Sequence, residues 1–303
     1  MKPSVMTAQE KPLALADDGY PAWLRAIPSP PAVLYCDGRI EPRDRQAVAI
    51  VGARQATPYG LRVTETLARE LSGAGFTIVS GLARGIDAAA HRAALDAGGR
   101  TIAVLGCGLD ITYPPEHGRL REEIAQCGAV LTEFPAGTPP KPSHFPQRNR
   151  IISGLSLGVV VVEAAEGSGS LITARLALEQ GREVFAVPGS IDAPLSRGPH
   201  GLIKQGAKLA ETVDDIIEEL LPQLELPLTL PSPRRGEGKF SDLTGLSEVE
   251  QVVLAVMSRD PLHLDDLTGR SGLTPGGIAG ILLGLELKGV VRQLPGQRYY
   301  RVR

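Results

Sequence analysis

Cysteine, aromatic residues and net charge are all scarce in this chain of 303 residues. Its three cysteines, Cys36, Cys107 and Cys127, include no CxxC pair, which argues against a zinc site and against a disulfide framework. Aromatic residues make up 4% of the chain, and the formal net charge is -2. A nucleic acid would therefore have to bind at a local cationic patch, because the bulk charge provides no attraction.

Long apolar runs are also missing. No stretch approaches 18 uninterrupted apolar residues, and the N-terminal region contains no apolar signal segment. These absences predict a cytoplasmic protein that neither spans nor binds a membrane. Hydrophobic residues still make up 43% of the chain, which is enough to form the core of a soluble α/β protein.

Short β-rich runs alternate with amphipathic helical stretches from Gln46 onward. The run VVVV at residues 159–162 is apolar at every position, as expected for a central strand covered by helices on both faces. The alternation predicts an α/β fold with a Rossmann-like doubly wound parallel sheet. Three helical patterns and two short strands at the end of the chain predict a small C-terminal winged-helix domain.

Composition divides the chain into four segments. Residues 1–44 are rich in proline and lack periodicity, which predicts an extended lead-in that packs Trp23 and Tyr35 against another part of the protein. Residues 45–221 form the predicted Rossmann-like domain. Residues 222–243, dense in Pro, Gly and charge, are a predicted flexible linker, and residues 244–303 are the predicted winged helix.

Four glycine-containing turns follow predicted strands: Gly52–Arg54, Gly81–Gly85, Gly106–Gly108 and Gly167–Ser170. In an open parallel sheet the ligand binds beyond the carboxyl ends of the strands, and the amides of a helix N-terminus attract phosphate. Four such turns, two of them with Arg54 or Arg84, favour a phosphate site, although tight turn geometry alone can require each glycine. Neither GxGxxG nor GxxxxGK[ST] opens a helix, so no dinucleotide site or P-loop is predicted.

Every formal charge from Lys141 to Arg150 is positive. This segment, FPQRNR with the preceding KPSH, predicts contact with a polyanion. The alternative is that Arg148 or Arg150 pairs inside the fold with a carboxylate such as Glu133 or Glu163.

Signs of catalysis are weak. Asp87 and His91 have i, i+4 spacing, but no third metal ligand lies near them, and Asp87 at a helix start more simply caps that helix. Glu133, Glu163 and Glu166 follow strands without a partnered nucleophile, and no serine has a GxSxG setting. We therefore predict no enzymatic activity, no metal and no cofactor.

Several long segments together resemble the DNA-processing protein A family (DprA, also called Smf). In family order they are IVGAR, IVSGLARGIDAAAH, IAVLGCGLDITYP, TEFPAGTPPKPSHFPQRNRIISGLS, VVVVEAAEGSGSLITARLALEQGREVFAVPGSI and LIKQGA, within roughly residues 20–215. The resemblance implies a non-enzymatic protein that binds and protects single-stranded DNA and helps to load the RecA recombinase in natural transformation. It also implies a homodimer formed through the Rossmann-like domain.

By this resemblance, Arg54 and the loop from Lys141 to Arg150 form the DNA-binding pocket. Arg54 and Lys141 would contact phosphates, Phe145 would stack on a base, and glycine-turn amides would donate hydrogen bonds. The full predicted set is Gly52, Arg54, Gly81, Arg84, Gly85, Lys141, Ser143, Phe145, Arg148, Asn149, Arg150, Gly167, Ser168, Gly169 and Ser170.

The chain departs from the family pattern in three places. Only about 40 residues precede the strand-rich region, so we expect the SAM-like module of many members to be absent or truncated here. Pro199–Gly201 stands where the family usually has an Asn. The linker has no counterpart in the family pattern and looks inserted. The predicted recognition helix, TPGGIAGILLGLELKG, has almost no polar side chains to read bases. We therefore expect weak DNA contact or protein contact from the winged helix.

Two other functions stay open. A Rossmann-like nucleotide phosphoribohydrolase of the lysine decarboxylase-like family would carry PGGxGTxxE, but Thr173 stands where the catalytic Glu should be. A transcription regulator with a ligand-sensing Rossmann-like domain would fit the winged helix, but the apolar recognition helix argues against it.

Overall fold

The computed structural model describes residues 12–225 and, in the C-terminal region, residues 253–254, 257, 262–271, 278, 281–282, 285, 290–294 and 298–301. The chain divides into two compact units, residues 1–231 and 232–303. Each unit has its own buried apolar core.

A nine-stranded sheet forms the centre of the N-terminal unit, with the strand order β1-β2-β6-β5-β4-β3-β7-β8-β9. The strands are β1 Leu13–Ala14, β2 Val33–Gly38, β3 Ala47–Val51, β4 Thr77–Ser80, β5 Thr101–Val104, β6 Ala129–Thr132, β7 Gly158–Val161, β8 Glu183–Ala186 and β9 Lys208–Leu209. Strands β3 to β9 pair in parallel, whereas β1 pairs with β2, and β2 with β6, in antiparallel fashion. The predicted doubly wound parallel sheet is confirmed for β3 to β9, and β1 and β2 add an antiparallel edge to it.

Helices cover both faces of this sheet. They are α1 Ala22–Arg25, α2 Pro58–Gly73, α3 Ile86–Asp96, α4 Gly118–Cys127, α5 His144–Leu155, α6 Gly169–Glu179, α7 Arg197–Lys204 and α8 Val213–Glu225. In β3, Ala49 and Val51 belong to one core cluster, and Val48 and Ile50 belong to another. Because successive strand residues point to opposite faces, a strand that is buried on both faces is apolar at every position.

The sheet reverses its winding direction between β3 and β7. From β3 the chain adds β4, β5 and β6 on one side, and then returns to place β7, β8 and β9 on the other side. The two connections that leave β3 and β7 therefore diverge and open a crevice at the carboxyl ends of these strands, where ligands bind in folds of this kind.

The N-terminal segment, predicted to be an extended lead-in that packs Trp23 and Tyr35 against another part of the protein, contributes a strand to the main sheet. β2 pairs with β6, with Tyr35 opposite Thr132 and Gly38 opposite Ala129. The Trp23 indole donates a hydrogen bond to the Arg45 carbonyl at 3.2 Å, and the Arg182 guanidinium lies 4.7 Å from the ring centre. No local pattern signals this strand, because its partner lies about 95 residues further along the chain.

The described residues of the C-terminal unit include a three-stranded antiparallel sheet in the order β10-β12-β11. Its elements are β10 Leu262–His263, α9 Leu264–Ser271, β11 Val291–Leu294 and β12 Arg298–Arg301. Leu267 of α9 and Val291 of β11 are buried in one core with Ile278 and Leu282. The predicted C-terminal winged helix is confirmed, with α9 as the second predicted helix.

Parts of the predicted organisation lie outside the described residues. These parts are the linker beyond residue 225 and most of the first and third predicted helices of the winged helix, including much of TPGGIAGILLGLELKG. Within the part of the chain that the structure describes, no helix is both long enough and apolar enough to cross a bilayer.

Candidate nucleic-acid interface

A groove of about 490 Å³ opens at the point where the sheet reverses its winding direction. Its walls come from the turn after β3, the start of α3, the first half of α5 and the start of α6. A smaller cleft, lined by Arg54, Arg84, Gly106, Tyr113 and Phe145, adjoins the groove and shares several wall residues with it. Most of the predicted site residues therefore meet at one place, although they are up to about 120 positions apart in sequence.

Phe145 lies in the wall shared by the groove and the cleft, between a cation and a second aromatic ring. The Arg54 guanidinium carbon is 5.3 Å from the centre of the Phe145 ring, and the Tyr113 ring centre is 5.5 Å from it. Gly106 allows this arrangement, because a Cβ at that position would lie 3.0 Å from Cδ1 of Phe145. Tyr113 was not in the predicted set. Its place in the segment GLDITYP, which resembles the family, was the available signal.

Arg84, an exposed cation of the cleft, pairs with Glu116. Two further exposed cations near this rim are Arg54 and Lys141. Lys141 lies just before α5, next to the exposed Ser143 that precedes the helix. Among residues 12–225, neither cation has a salt bridge to a carboxylate. Both side chains are therefore available for an external anion.

Arg148 has a different environment, because its side chain is buried beneath the groove. Nη1 donates hydrogen bonds to the carbonyls of Gly81, at 2.8 Å, and Val104. Burial lowers the pKa of Arg148 to about 10, while the nearby Asp87 carboxylate acts in the opposite direction. The guanidinium is therefore still charged at neutral pH, and it joins the ends of β4 and β5 while contributing positive potential to the groove floor.

Arg150 forms an internal ion pair. Its Nη1 and Nη2 donate to Oε1 and Oε2 of Glu133 at 3.0 and 2.7 Å, and both side chains are largely buried. This is the internal pairing that the sequence left open as an alternative. Arg150 does not line either cavity. Because its guanidinium is already paired with Glu133, it is not available to an external anion as Arg54 and Lys141 are.

Packing explains the glycines in the first two turns. A Cβ on Gly81 would overlap the Arg148 guanidinium, and Gly85 has φ +73°, a conformation that side chains disfavour. The amides of Gly81 and Ala83 donate to Oδ2 of Asp87, at 3.1 and 3.4 Å. These amides are therefore already satisfied by a carboxylate of the protein and are not free for phosphate.

Glu163 occupies the N-terminus of α2 in the same way. Its two oxygens accept hydrogen bonds from the amide of Thr57, at 2.9 Å, and from the Thr57 hydroxyl, at 2.5 Å. Gly52 packs against the backbone of Glu163, since a Cβ at position 52 would lie 3.0 Å from the Glu163 carbonyl oxygen. The Gly106–Gly108 turn does not lead directly into a helix, because α4 begins only at Gly118.

The turn Gly167–Ser170 is the most open of the four. Gly167 and Gly169 are exposed, and a Cβ on either would meet nothing within 4 Å. Ser168 precedes α6 without a side-chain hydrogen bond to the helix amides, and its hydroxyl lies 3.0 Å from that of Ser170. Asn149 is buried and donates to the Gly169 carbonyl at 3.2 Å, which fixes the turn against α5. This helix start faces the groove.

Asp87 and His91 have structural partners. His91 Nδ1 lies 2.6 Å from Oγ1 of Thr101, whose hydroxyl donates to the Ile78 carbonyl, so Nδ1 carries the proton. Burial lowers the pKa of His91 to about 3 and raises that of Asp87. Among the described residues, no group of three or more His, Cys, Asp or Glu side chains is arranged to hold a metal ion.

Comparison with known families assigns both units. Residues 11–221 match the family described as "DNA recombination-mediator protein A", and residues 241–297 match the "DprA winged helix domain". Protein Smf of Escherichia coli is 44% identical over 285 residues, which cover 94% of this chain and 75% of that protein. The DNA processing protein DprA of Bacillus subtilis is 48% identical over 220 residues, which cover 72% of this chain and 74% of that protein.

Solved structures show the same relationship. The X-ray structure of DNA processing protein A from Streptococcus pneumoniae has a TM-score of 0.67 and 46% identity, and the match covers 69% of this chain and 74% of that one. A structure of the Helicobacter pylori protein, whose title describes its single-stranded DNA binding mode, has a TM-score of 0.63 and 35% identity. That match covers 70% of this chain and 96% of the other.

Proposed function

The chain belongs to the DNA recombination-mediator protein A family, and we propose on that basis that its groove binds single-stranded DNA. The bound strand would be protected and made available to the RecA recombinase during natural transformation. The single observation that carries this proposal is the meeting of Arg54, Phe145 and the Lys141 segment at the reversal point of the sheet. The binding mode described for the Helicobacter pylori relative supports the same class of ligand.

The groove has the size and chemistry for a nucleotide unit of a strand. Its volume, about 490 Å³, lies within the range of about 300–1,000 Å³ that is usual for small-molecule sites. Arg54 and Lys141 supply exposed cations for phosphates, and Phe145 and Tyr113 supply aromatic surface for a base. Cationic grooves with aromatic faces bind single strands with little sequence preference.

Arg54 and Phe145 act together in this proposal. Because the guanidinium lies over the ring, a base cannot reach that face of Phe145 unless Arg54 moves or itself forms part of the stack. Planar guanidinium groups stack on rings while their N–H groups contact phosphate. Arg54 would thus contribute to both phosphate contact and base stacking, and not to phosphate contact alone.

The same groove supports a binding protein over a nucleotide hydrolase. Asp87 is the one carboxylate among the described residues that line the groove, and two backbone amides hold it in place. Thr173, at the position where the hydrolase motif has its Glu, is buried and has its hydroxyl directed to the Gly169 carbonyl. Glu166, the nearest acid in that turn, is exposed and does not line the groove. We therefore propose a non-enzymatic role.

A homodimer through the N-terminal unit is part of the proposal. Leu178 on α6 and Leu209 on β9 are large apolar side chains that are about half exposed, and β9 is an edge strand of the sheet. Exposed edges and apolar patches favour association. Light scattering at micromolar concentration should give the mass of a dimer, and a monomer mass would contradict it. We also propose a cytoplasmic location and a direct contact with RecA. Binding of purified RecA to the immobilised protein would test that contact.

The central test is fluorescence anisotropy with labelled oligothymidine and a duplex of equal length over a range of salt concentrations. We expect tight binding of the single strand, weaker binding of the duplex, and affinity that falls linearly with salt on a log–log plot. Equal binding to both DNA forms, or none, would refute the proposal. Release of free base from a nucleoside monophosphate would support the hydrolase instead.

A further inference from the structure

Three guanidinium groups line the cleft beside the groove: Arg54, Arg84 and Arg148. They differ in what balances their charge. Arg148 is buried and held by two carbonyls near Asp87, and Arg54 lies over Phe145 without a carboxylate partner among residues 12–225. Arg84 alone is held by an exposed acid, because its Nε donates to Oε1 of Glu116 at 2.5 Å.

The Arg84–Glu116 pair joins two loops at the mouth of the cleft. Arg84 belongs to the turn after β4, and Glu116 lies in a single 3₁₀ turn, Pro115–His117, just before α4. The side chains are 56% and 49% exposed. The hydrogen bond from Arg84 lowers the pKa of Glu116, so the carboxylate is charged at neutral pH.

We propose that Glu116 competes with the phosphates of bound DNA for Arg84, and thereby sets the affinity and salt sensitivity of the site. This inference rests on the proposed single-strand binding. In the free protein the carboxylate neutralises Arg84, so the cleft presents Arg54 as its uncompensated exposed cation. When a strand enters, Arg84 exchanges one oxygen partner for another, with no change in its own charge.

The exchange is feasible because exposed ion pairs are weak. It also has an electrostatic consequence. A cation that leaves a carboxylate to contact a phosphate releases a counterion from the DNA, but the freed carboxylate attracts a cation in return. Glu116 thus reduces both the net attraction and the net counterion release, which makes the wild-type complex weaker and less salt-dependent than three guanidinium groups would otherwise make it.

The chain offers a matched control. Arg119 and Glu123 form a second exposed Arg–Glu pair, with Nε and Oε1 2.8 Å apart, and neither residue lines the groove or the cleft. Glu123→Gln removes the same charge as Glu116→Gln without touching Arg84. Any general effect of a more positive protein appears equally in both variants.

The experiment measures binding of fluorescein-labelled oligothymidine by the full chain, over a range of NaCl concentrations, for the wild type, Glu116→Gln, Arg84→Gln, the double variant and Glu123→Gln. We expect Glu116→Gln to bind up to about fivefold more tightly, since the ion pair that it removes is exposed and therefore weak. Its log–log salt slope should be steeper by up to about 0.7, the value for one single-strand phosphate contact, because no freed carboxylate then takes up a cation to offset the one that Arg84 releases from the DNA. Both changes should disappear when Arg84 is also Gln.

Three results would overturn the inference or its basis. A Glu116→Gln variant that behaves like Glu123→Gln would show that Glu116 does not compete with DNA. A gain in affinity that persists in the Arg84→Gln background would show that Glu116 acts without Arg84. A wild-type protein that does not bind oligothymidine would instead refute the proposed function, and thermal unfolding of each variant would separate loss of folding from loss of binding.

Discussion

Replacement of Phe145 by alanine tests the aromatic surface of the groove. Phe145 is half-buried, and its ring contacts Tyr113 and the Arg54 guanidinium. Loss of one base–aromatic stack costs about 1–3 kcal/mol in single-strand binding, which corresponds to a loss of roughly 5- to 150-fold in affinity. The assay is anisotropy with labelled oligothymidine at fixed salt.

The folded state should suffer less from this change than from a core substitution. A fully buried Phe→Ala change costs about 3–5 kcal/mol, whereas Phe145 is partly exposed and its pair with Tyr113 is worth about 0.5–1.5 kcal/mol beyond area burial. Phe134→Ala is the matched control. Phe134 is buried and its ring stacks on His144 at 4.3 Å, but it does not line the groove or the cleft. The Phe134→Ala variant should be less stable than the wild type, but its folded form should retain the wild-type DNA affinity.

A double variant sharpens the test. Because Arg54 lies over the ring, Arg54→Ala and Phe145→Ala remove parts of the same contact. The loss of binding free energy in the double variant should therefore be smaller than the sum of the losses in the two single variants. Strict additivity would show that Arg54 contacts phosphate independently of the ring. Unchanged affinity in Phe145→Ala would refute the stacking role altogether.

The remaining predictions concern charge and pH. Lys141→Ala should weaken single-strand binding and reduce the salt slope by about 0.7. Arg150→Ala should have little effect on binding but should lower the stability, because Glu133 then loses its partner. Anisotropy measures the binding and urea unfolding measures the stability, and a reversal of the two effects would contradict the placement of these residues. His91 has a folded-state pKa lowered by burial to about 3, so the neutral ring stabilises the protein fully above its unfolded-state pKa of about 6.5. This stability is lost as the pH falls toward 3, at about 1.4 kcal/mol per pH unit. Urea unfolding at pH 7 and pH 5 should show a smaller difference for His91→Gln than for the wild type, and an equal difference would refute this account.

The parallel sheet and the position of the groove follow from local sequence. Strands such as Ala47–Val51 are apolar at every position because both faces are covered, and this pattern is readable without a structure. The order of strands and helices then places the turns that contain Arg54 and Ser168 at the same edge of the sheet. The stretches that resemble the family added the single-strand ligand and the role of the Lys141 segment.

Which arginine faces the groove was not readable in this way. Arg148 and Arg150 are two positions apart on α5, so they point in widely different directions. Arg148 is directed beneath the groove toward Gly81, while Arg150 pairs with Glu133 after β6. The helix sequence contains both cations, but the rotation of the helix on the sheet is set by packing against distant residues.

The amino-acid sequence by itself determined the class of fold, the edge of the sheet that carries the site, and the supply of cations and glycines there, because these depend on periodicity and residue type within short windows. Tertiary structure alone decided which of those groups remain available. Asp87 and Glu163 accept hydrogen bonds from amides of a turn and of a helix start that were predicted to be free for phosphate. Glu116 and Glu133 neutralise two arginines, and Arg54 lies over Phe145. The physical reason is that charge compensation depends on distance in space, and each of these pairs joins segments that only the folded sheet brings together.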